Sequence, residues 1–290
     1  MSCPQTITYK RIGGLDIQLD LYLPPHAQKI PVLLWFHGGG LLQGCRDRHM
    51  APHMVRGVTE HKYALVSADY RLAPQVGVKD ILEDAHDCIS FVRNELIKHV
   101  AVGIVDPTRL AVSGSSAGGY LAFLAGLYVE PKPQVILCIY PITDPLGQFF
   151  TTPQVKKLDG QACVDPALVA EFLNPSAEAV TGNGPNSYRN KMYNYMLENA
   201  KLASLLRVES GDDTLRVAKS IFSNGLPPTY VVHPDADVDV GVEQSDEVVG
   251  VMVGLGMEVV YNRPHGLTHA FDEDERVELK DMYDFMLRHL

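Results

Sequence analysis

Short, continuous apolar runs alternate with segments of helical period along most of this chain, and that alternation constrains its fold more than any other feature. Val32–Phe36, Ala64–Ala68 and Gln134–Tyr140 are apolar at nearly every position, as strands buried on both faces are. Asp80–His99 carries Ile81, Ala85, Cys88, Ile89, Val92 and Leu96 at helical spacing. Leu110–Ser113 reads as another strand, Gly114–Gly119 as a tight turn and Tyr120–Val129 as a helix. At the front, Thr6–Lys10 and Asp16–Tyr22 alternate around Gly13-Gly14, which predicts a hairpin. The alternation stops between about Pro145 and Gly225. It returns with a strand at Thr229–His233, a helix from about Val242 to Leu255, a strand at Glu258–Tyr261 and a last helix from about Asp274 to Leu290. The expected fold class is therefore α/β: a mostly parallel central sheet with helices on both faces. Residues 1–145 and 227–290 form the core domain, and 146–226 form a helical cap inserted over the carboxyl end of the sheet.

Charge and composition remove several function classes. The 290 residues carry 25 Lys+Arg against 35 Asp+Glu, a formal charge of −10, and a phosphate backbone needs a basic face instead. The apolar runs fall far short of the roughly 20 residues of a membrane span. Met1–Lys10 has no charged segment followed by an apolar core, so a cytoplasmic, reducing compartment is expected. Among the five cysteines no pair has zinc-knuckle or redox spacing, and nothing has Rossmann or P-loop spacing. No metal and no cofactor are expected. The expected partner is a small molecule, with no nucleic acid and no membrane span; oligomeric state is left open.

Ligands in open α/β sheets bind outside the carboxyl ends of the strands, so chemistry belongs in the loops that follow them. Gly114-Ser115-Ser116-Ala117-Gly118 fits G-x-S-x-G between a strand and a helix, which is the context that gives the motif meaning. A sharp turn there exposes the Ser116 hydroxyl at a helix N-terminus, and its glycines avoid clashes at the flanks. Ser116 is the expected nucleophile. His37-Gly38-Gly39-Gly40 follows the strand Val32–Phe36 and can present side-chain-free amides to a developing oxyanion. The expected oxyanion donors are the amides of Gly38, Gly39 and Ala117.

In their order and spacing, His37–Gly40, then Tyr70-Arg71-Leu72-Ala73-Pro74, then Asp106-Pro107-Thr108-Arg109 leading into Ser115–Gly119 resemble the hormone-sensitive-lipase-like family of α/β-hydrolases. The likeness covers nearly the whole chain and is weakest in the insertion. It implies the α/β-hydrolase fold and hydrolysis of carboxylic esters of small or medium, apolar or aromatic substrates through an acyl-enzyme. Two features depart from it: Ser115 stands where the family usually has Asp, and the first strand is expected within about ten residues, where relatives often carry N-terminal cap helices.

On this fold the triad runs in the order Ser, Asp/Glu, His. His269 and His265 lie in the loop after the last strand, and His269-Ala270-Phe271 resembles the family's His-Gly-Phe signature. His269 is thus the expected base, with His265 the alternative and otherwise a residue lining the site. Three carboxylates, Asp235, Asp237 and Asp239, cluster after Thr229–His233, and Asp144 follows the preceding strand. The resemblance, counted back from Val242–Ser245, puts the acid at Asp237, with the other three as alternatives. Arg71 is read as pairing with an acid behind the oxyanion loop and holding that loop in place. Tyr188, Met192, Tyr195 and Met196 share one helical face, either the packed side of a cap helix or a pocket wall. Gly40, Ser115, Tyr188, Met192, Tyr195 and His265 are the expected substrate-binding residues. Alternatives within the chemistry are acyl transfer, lactonisation or chain release in natural-product biosynthesis; a non-catalytic small-molecule receptor on the same fold is the alternative outside it.

Overall fold

Eight strands form one sheet in the order β1-β2-β4-β3-β5-β6-β7-β8. They are β1 Gln5–Ile12, β2 Leu15–Tyr22, β3 Ile30–Phe36, β4 Ala64–Ala68, β5 Val105–Ser115, β6 Val135–Ile139, β7 Thr229–Val232 and β8 Val259–Asn262. The computed structural model describes residues 3–154 and 163–290. β1, β2 and β4 pair antiparallel, and every pair from β4 through β8 is parallel. The α/β expectation holds, and the hairpin at the front adds two strands to one edge of the parallel sheet.

The period of two sorts the central strands between two cores. On β3, Val32, Leu34 and Phe36 pack with the helices Val78–Asn94, Ala117–Tyr128 and Glu243–Gly254, while Leu33 and Trp35 join the opposite core. That second core is closed by Met282, Tyr283, Phe285 and Met286 of the helix Lys280–His289 and by Met54 of Pro52–Gly57. Both faces are covered, which is why β3 and β6 read as uninterrupted apolar runs and β4 is broken only by Ser67.

The last helix is shorter than expected. Phe271–Glu273 is a single 3₁₀ turn, and Lys280 starts the helix after Leu279 at φ 46°. Asp274 accepts from the Arg276 amide at 2.9 Å, so a local turn takes the backbone that a longer helix would have used.

Between β6 and β7 the described residues contain only short helices, among them Met192–Glu198 and Val217–Asn224. Residues 155–162 of this expected cap lie outside the described ones. Among its described residues the insertion has no core of its own: Val169, Met192, Met196 and Leu202 belong to the same apolar cluster as β3 and β5. Arg189 ties it down. This buried guanidinium donates to the carbonyls of Leu42 (2.7 Å) and Ala73 (2.9 Å) and to Gln75 Oε1 (2.8 Å). Burial among neutral acceptors lowers its pKa to about 10.

Candidate active site

β5 delivers Ser116 at its carboxyl end, and the chain turns there into the helix Ala117–Tyr128. Ser116 sits at φ 57°, ψ −118°, a conformation costing on the order of 1–3 kcal/mol for a residue with a side chain. Neighbours hold it: its amide donates to the Ile139 carbonyl at 2.8 Å, and its own carbonyl accepts from Tyr120 and Ile142. The glycines permit the turn. A Cβ on Gly114 would run into the Gly118 backbone, and one on Gly118 into the Phe36 carbonyl. Strand, elbow and helix therefore pack backbone to backbone.

The loop His37–Gly40 leaves β3 beside this elbow. A Cβ on Gly38 would lie 3.2 Å from Ser116 Cβ, so Gly38 lies directly against the serine. His37 is buried and stacks on Tyr70 with ring centroids 4.3 Å apart. The Tyr70 hydroxyl donates to the His37 carbonyl at 2.7 Å. Burial pulls the His37 pKa down to about 4, so the ring is neutral. Tyr70, not Arg71, holds the loop. Arg71 turns to the helix Val78–Asn94, where Nε donates to Asp84 at 2.7 Å and Nη2 to the Asp80 carbonyl at 3.0 Å. The buried Asp84 carboxylate supplies the counter-charge, and Glu83 of the same helix lies 3.8 Å from Nη2.

Of the four carboxylates the sequence puts forward, Asp237 meets His269. The Nδ1–H of His269 donates to Asp237 Oδ2 at 2.7 Å. Asp237 Oδ1 accepts the amides of Asp239 (2.8 Å) and Val240 (3.0 Å), and His233 Nε2 lies 3.3 Å from Oδ2. Burial alone would raise this carboxyl, but the hydrogen bonds from His233 and His269 outweigh it and bring the pKa to about 2. Asp235 instead pairs with His265, and Asp144 with Arg216 at 2.8 Å. The carbonyl of Asp239 accepts the Tyr193 hydroxyl at 2.7 Å.

Ser116 and His269 line one cavity of about 330 Å³ together with His37, Gly38, Gly39 and Ser115. Gln43, Arg48, Asn190 and Glu273 also line it, as does Tyr193. The expected pocket stripe does not reach it. Tyr188 is 55% exposed, while Met192 and Tyr195 are buried in the apolar core. Tyr193, between the two, turns inward instead. Gly40 lies under Tyr193, where a Cβ would come 2.5 Å from the ring, so it seats the aromatic wall and does not face the cavity. His265 is outside, with its side chain 95% exposed. Ser115 does line the cavity, and its Oγ accepts from Trp35 Nε1 at 3.2 Å.

Sequence reasoning missed the support behind His269. The Tyr140 ring packs 4.3 Å from the imidazole, and its hydroxyl donates to Asp272 Oδ1 at 2.5 Å. Asp272 is fully buried and has His53 Nε2 3.4 Å from its other oxygen. The available signal was Asp272 three residues after His269, in a loop that returns toward the core. Among the described residues no group of three or more His, Cys, Asp or Glu is placed to hold a metal ion, and no helix is long and apolar enough to cross a membrane.

Known proteins share this fold. The non-reducing polyketide synthase ausA of Penicillium brasilianum is 23% identical over 99% of this chain; the chain spans 14% of that synthase. An alpha/beta hydrolase superfamily protein from Enterococcus faecalis superposes with a TM-score of 0.74 at 18% identity, covering 100% of this chain and 99% of that one. Thermogutta terrifontis esterase 2, in a structure phosphoramylated by tabun, gives 0.63 at 19% identity over 99% and 94% of the two chains. The sequence profile of the BD-FAE family matches residues 19–252. This chain belongs to the BD-FAE family, an esterase family of the hormone-sensitive-lipase-like kind with the α/β-hydrolase fold.

Proposed function

We propose that this protein is a serine carboxylic ester hydrolase. Ser116 Oγ attacks the ester carbonyl as His269 Nε2 takes its proton. Asp237 keeps the opposite nitrogen protonated and stabilises the imidazolium, and the amides of Gly38, Gly39 and Ala117 receive the oxyanion. The alcohol leaves with the proton from His269, and water then cleaves the acyl-enzyme with the same base. The observation that carries this reading is the shared cavity: a serine on a strained strand-to-helix elbow and a histidine paired with a buried carboxylate face the same space. The described residues of 146–226 act as the cap, with Asn190 and Tyr193 contributing to the cavity lining. A cavity of about 330 Å³ lined by Tyr140, Tyr193 and several polar side chains suits a small acyl group.

A second reading has the same serine release an acyl group from a carrier thioester, forming a free acid or a lactone. It rests on the sequence likeness to a polyketide synthase over nearly the whole chain. Both readings are tested by kcat/KM on acyl esters from acetyl to octanoyl and on matched thioesters, with Ser116→Ala as control. Hydrolysis should fall by more than a hundredfold in Ser116→Ala, together with loss of labelling by a serine-directed phosphonate. Retained labelling in that variant rules out Ser116. Thioesters preferred over matched esters by more than tenfold would select the second reading.

A further inference from the structure

We propose that His233, at the carboxyl end of β7, is a positioning residue that fixes the rotamer of Asp237 through an Nε2–H shared between the Val240 carbonyl and Asp237 Oδ2, with Ser245 setting its tautomer. The inference rests on the triad reading above.

The donors and acceptors determine the protonation pattern. His233 is fully buried, and its Nε2 lies 3.0 Å from the Val240 carbonyl and 3.3 Å from Asp237 Oδ2. Both neighbours are acceptors only, so Nε2 must carry a hydrogen. Nδ1 then holds a lone pair, and the hydroxyl of Ser245, itself buried, lies 2.7 Å away to donate to it. In the other tautomer a nitrogen lone pair would face two oxygens in a dry interior. The backbone also anchors the ring, since the His233 amide donates to the Asn262 carbonyl of β8 at 2.9 Å.

The consequence falls on Asp237. An ionised carboxylate has about four lone-pair sites. Two at Oδ1 are taken by the amides of Asp239 and Val240 and one at Oδ2 by His269, while the last faces His233 Nε2 at 3.3 Å, whose N–H is shared with the Val240 carbonyl. Every site faces a donor, so the carboxylate has one orientation, and that orientation aims Oδ2 at His269 Nδ1. Without His233, the Val240 carbonyl and one site on Oδ2 become buried acceptors without a donor. The carboxylate can then relieve them by rotating, which loosens its hold on the imidazole. Misplacing a catalytic group by about 1 Å costs on the order of a hundredfold in rate.

The test compares His233→Leu, His233→Gln and Ser245→Ala. Gln restores an N–H near the position of Nε2; Leu does not. His233→Leu should lower kcat by about 10- to 100-fold with KM within about twofold, and His233→Gln should recover most of the loss. Ser245→Ala should lower kcat by a smaller factor. The strongly deshielded proton NMR signal of His269 Nδ1–H should persist in the Gln variant and shift or broaden in the Leu variant. Equal loss of kcat in Leu and Gln, tracking a fall in melting temperature, would reduce His233 to packing and overturn the proposal. So would a Leu variant within twofold of wild type. The NMR signal needs no turnover, so it tests the positioning of Asp237 even if Ser116 proves not to be the nucleophile, a failure that Ser116→Ala labelling reports separately.

Discussion

The loop after β7 and the loop after β8 meet at two histidine–aspartate pairs with the same bond. His265 Nδ1 lies 2.7 Å from Asp235 Oδ2, and His269 Nδ1 lies 2.7 Å from Asp237 Oδ2. Their surroundings differ. The His265 side chain is 95% exposed and that of Asp235 26%, against 15% for His269 and none for Asp237. In water such a pair gains little, because solvent screens it and both side chains lose freedom. In the interior the same bond competes with no water and orients a ring that borders the cavity. Burial and what lies beyond the ring, not the hydrogen-bond length, separate the surface pair from the one set against the cavity.

The strongest way to break this comparison is to remove each histidine in turn. His269→Ala should lower kcat by on the order of 10⁵-fold or more, as loss of a base does in serine hydrolases. His265→Ala should stay within about twofold. Steady-state kinetics on one activated ester settles it, and a reversed ranking would move the base to the exposed loop.

The parts of this site readable from sequence are those where backbone geometry dictates the residue. Gly114 and Gly118 are required because strand, elbow and helix touch, so the pattern around Ser116 carries its structure with it. The faces of the sheet were legible for the same kind of reason, as β3 and β6 are apolar at every position when both sides are covered. The pocket wall was not. Tyr188, Met192 and Tyr195 share a face only on a continuous α-helix, yet Tyr188–Lys191 is a 3₁₀ turn and Met192–Glu198 has two turns at most. The period changes in mid-stripe, Tyr188 swings to solvent, and Tyr193 reaches the cavity. Helical spacing also cannot say which object a face packs against. His233 was invisible for another reason: a histidine closing an apolar strand has no pattern, and its partners Val240 and Ser245 lie in the turn and helix beyond.

Replacing the acids sharpens the comparison at the next level. Asp237→Asn keeps the shape but leaves His269 free to adopt the wrong tautomer, so kcat should fall by about 10⁴-fold. Asp235→Asn should leave kcat within twofold.

Acid titration gives a smaller separation. The Asp237 pKa of about 2 lies below its ordinary 3.8, because hydrogen bonds from His233 and His269 outweigh the upward push of burial. A depressed carboxyl contributes stability that is present above about pH 4 and lost as pH falls through about 2. The difference in unfolding free energy between wild type and Asp237→Asn should therefore shrink by about 2 kcal/mol from pH 6 to pH 2. Urea unfolding across that range measures it, and a pH-independent difference would mean Asp237 is not held ionised by its neighbours.

The smallest effect belongs to Asp235→Ala, and it asks whether the two pairs are independent. Asp235 does more than face His265: its Oδ1 accepts the Gly266 amide at 2.6 Å. Removing the carboxylate should speed hydrogen exchange at Gly266, since that amide loses its acceptor. The loop should nonetheless keep its course. The amides of Asp235 and Ala236 donate to the carbonyls of Pro264 and Leu267, and neither bond uses the lost side chain. His269 is held from elsewhere, by Asp237 and by the Tyr140 ring against it. Exchange at Gly266 should rise while kcat stays within about twofold and the melting temperature barely moves, as for an exposed pair. A tenfold fall in kcat would show that the exposed pair props up the buried one, and the two would then have to be treated as a single unit.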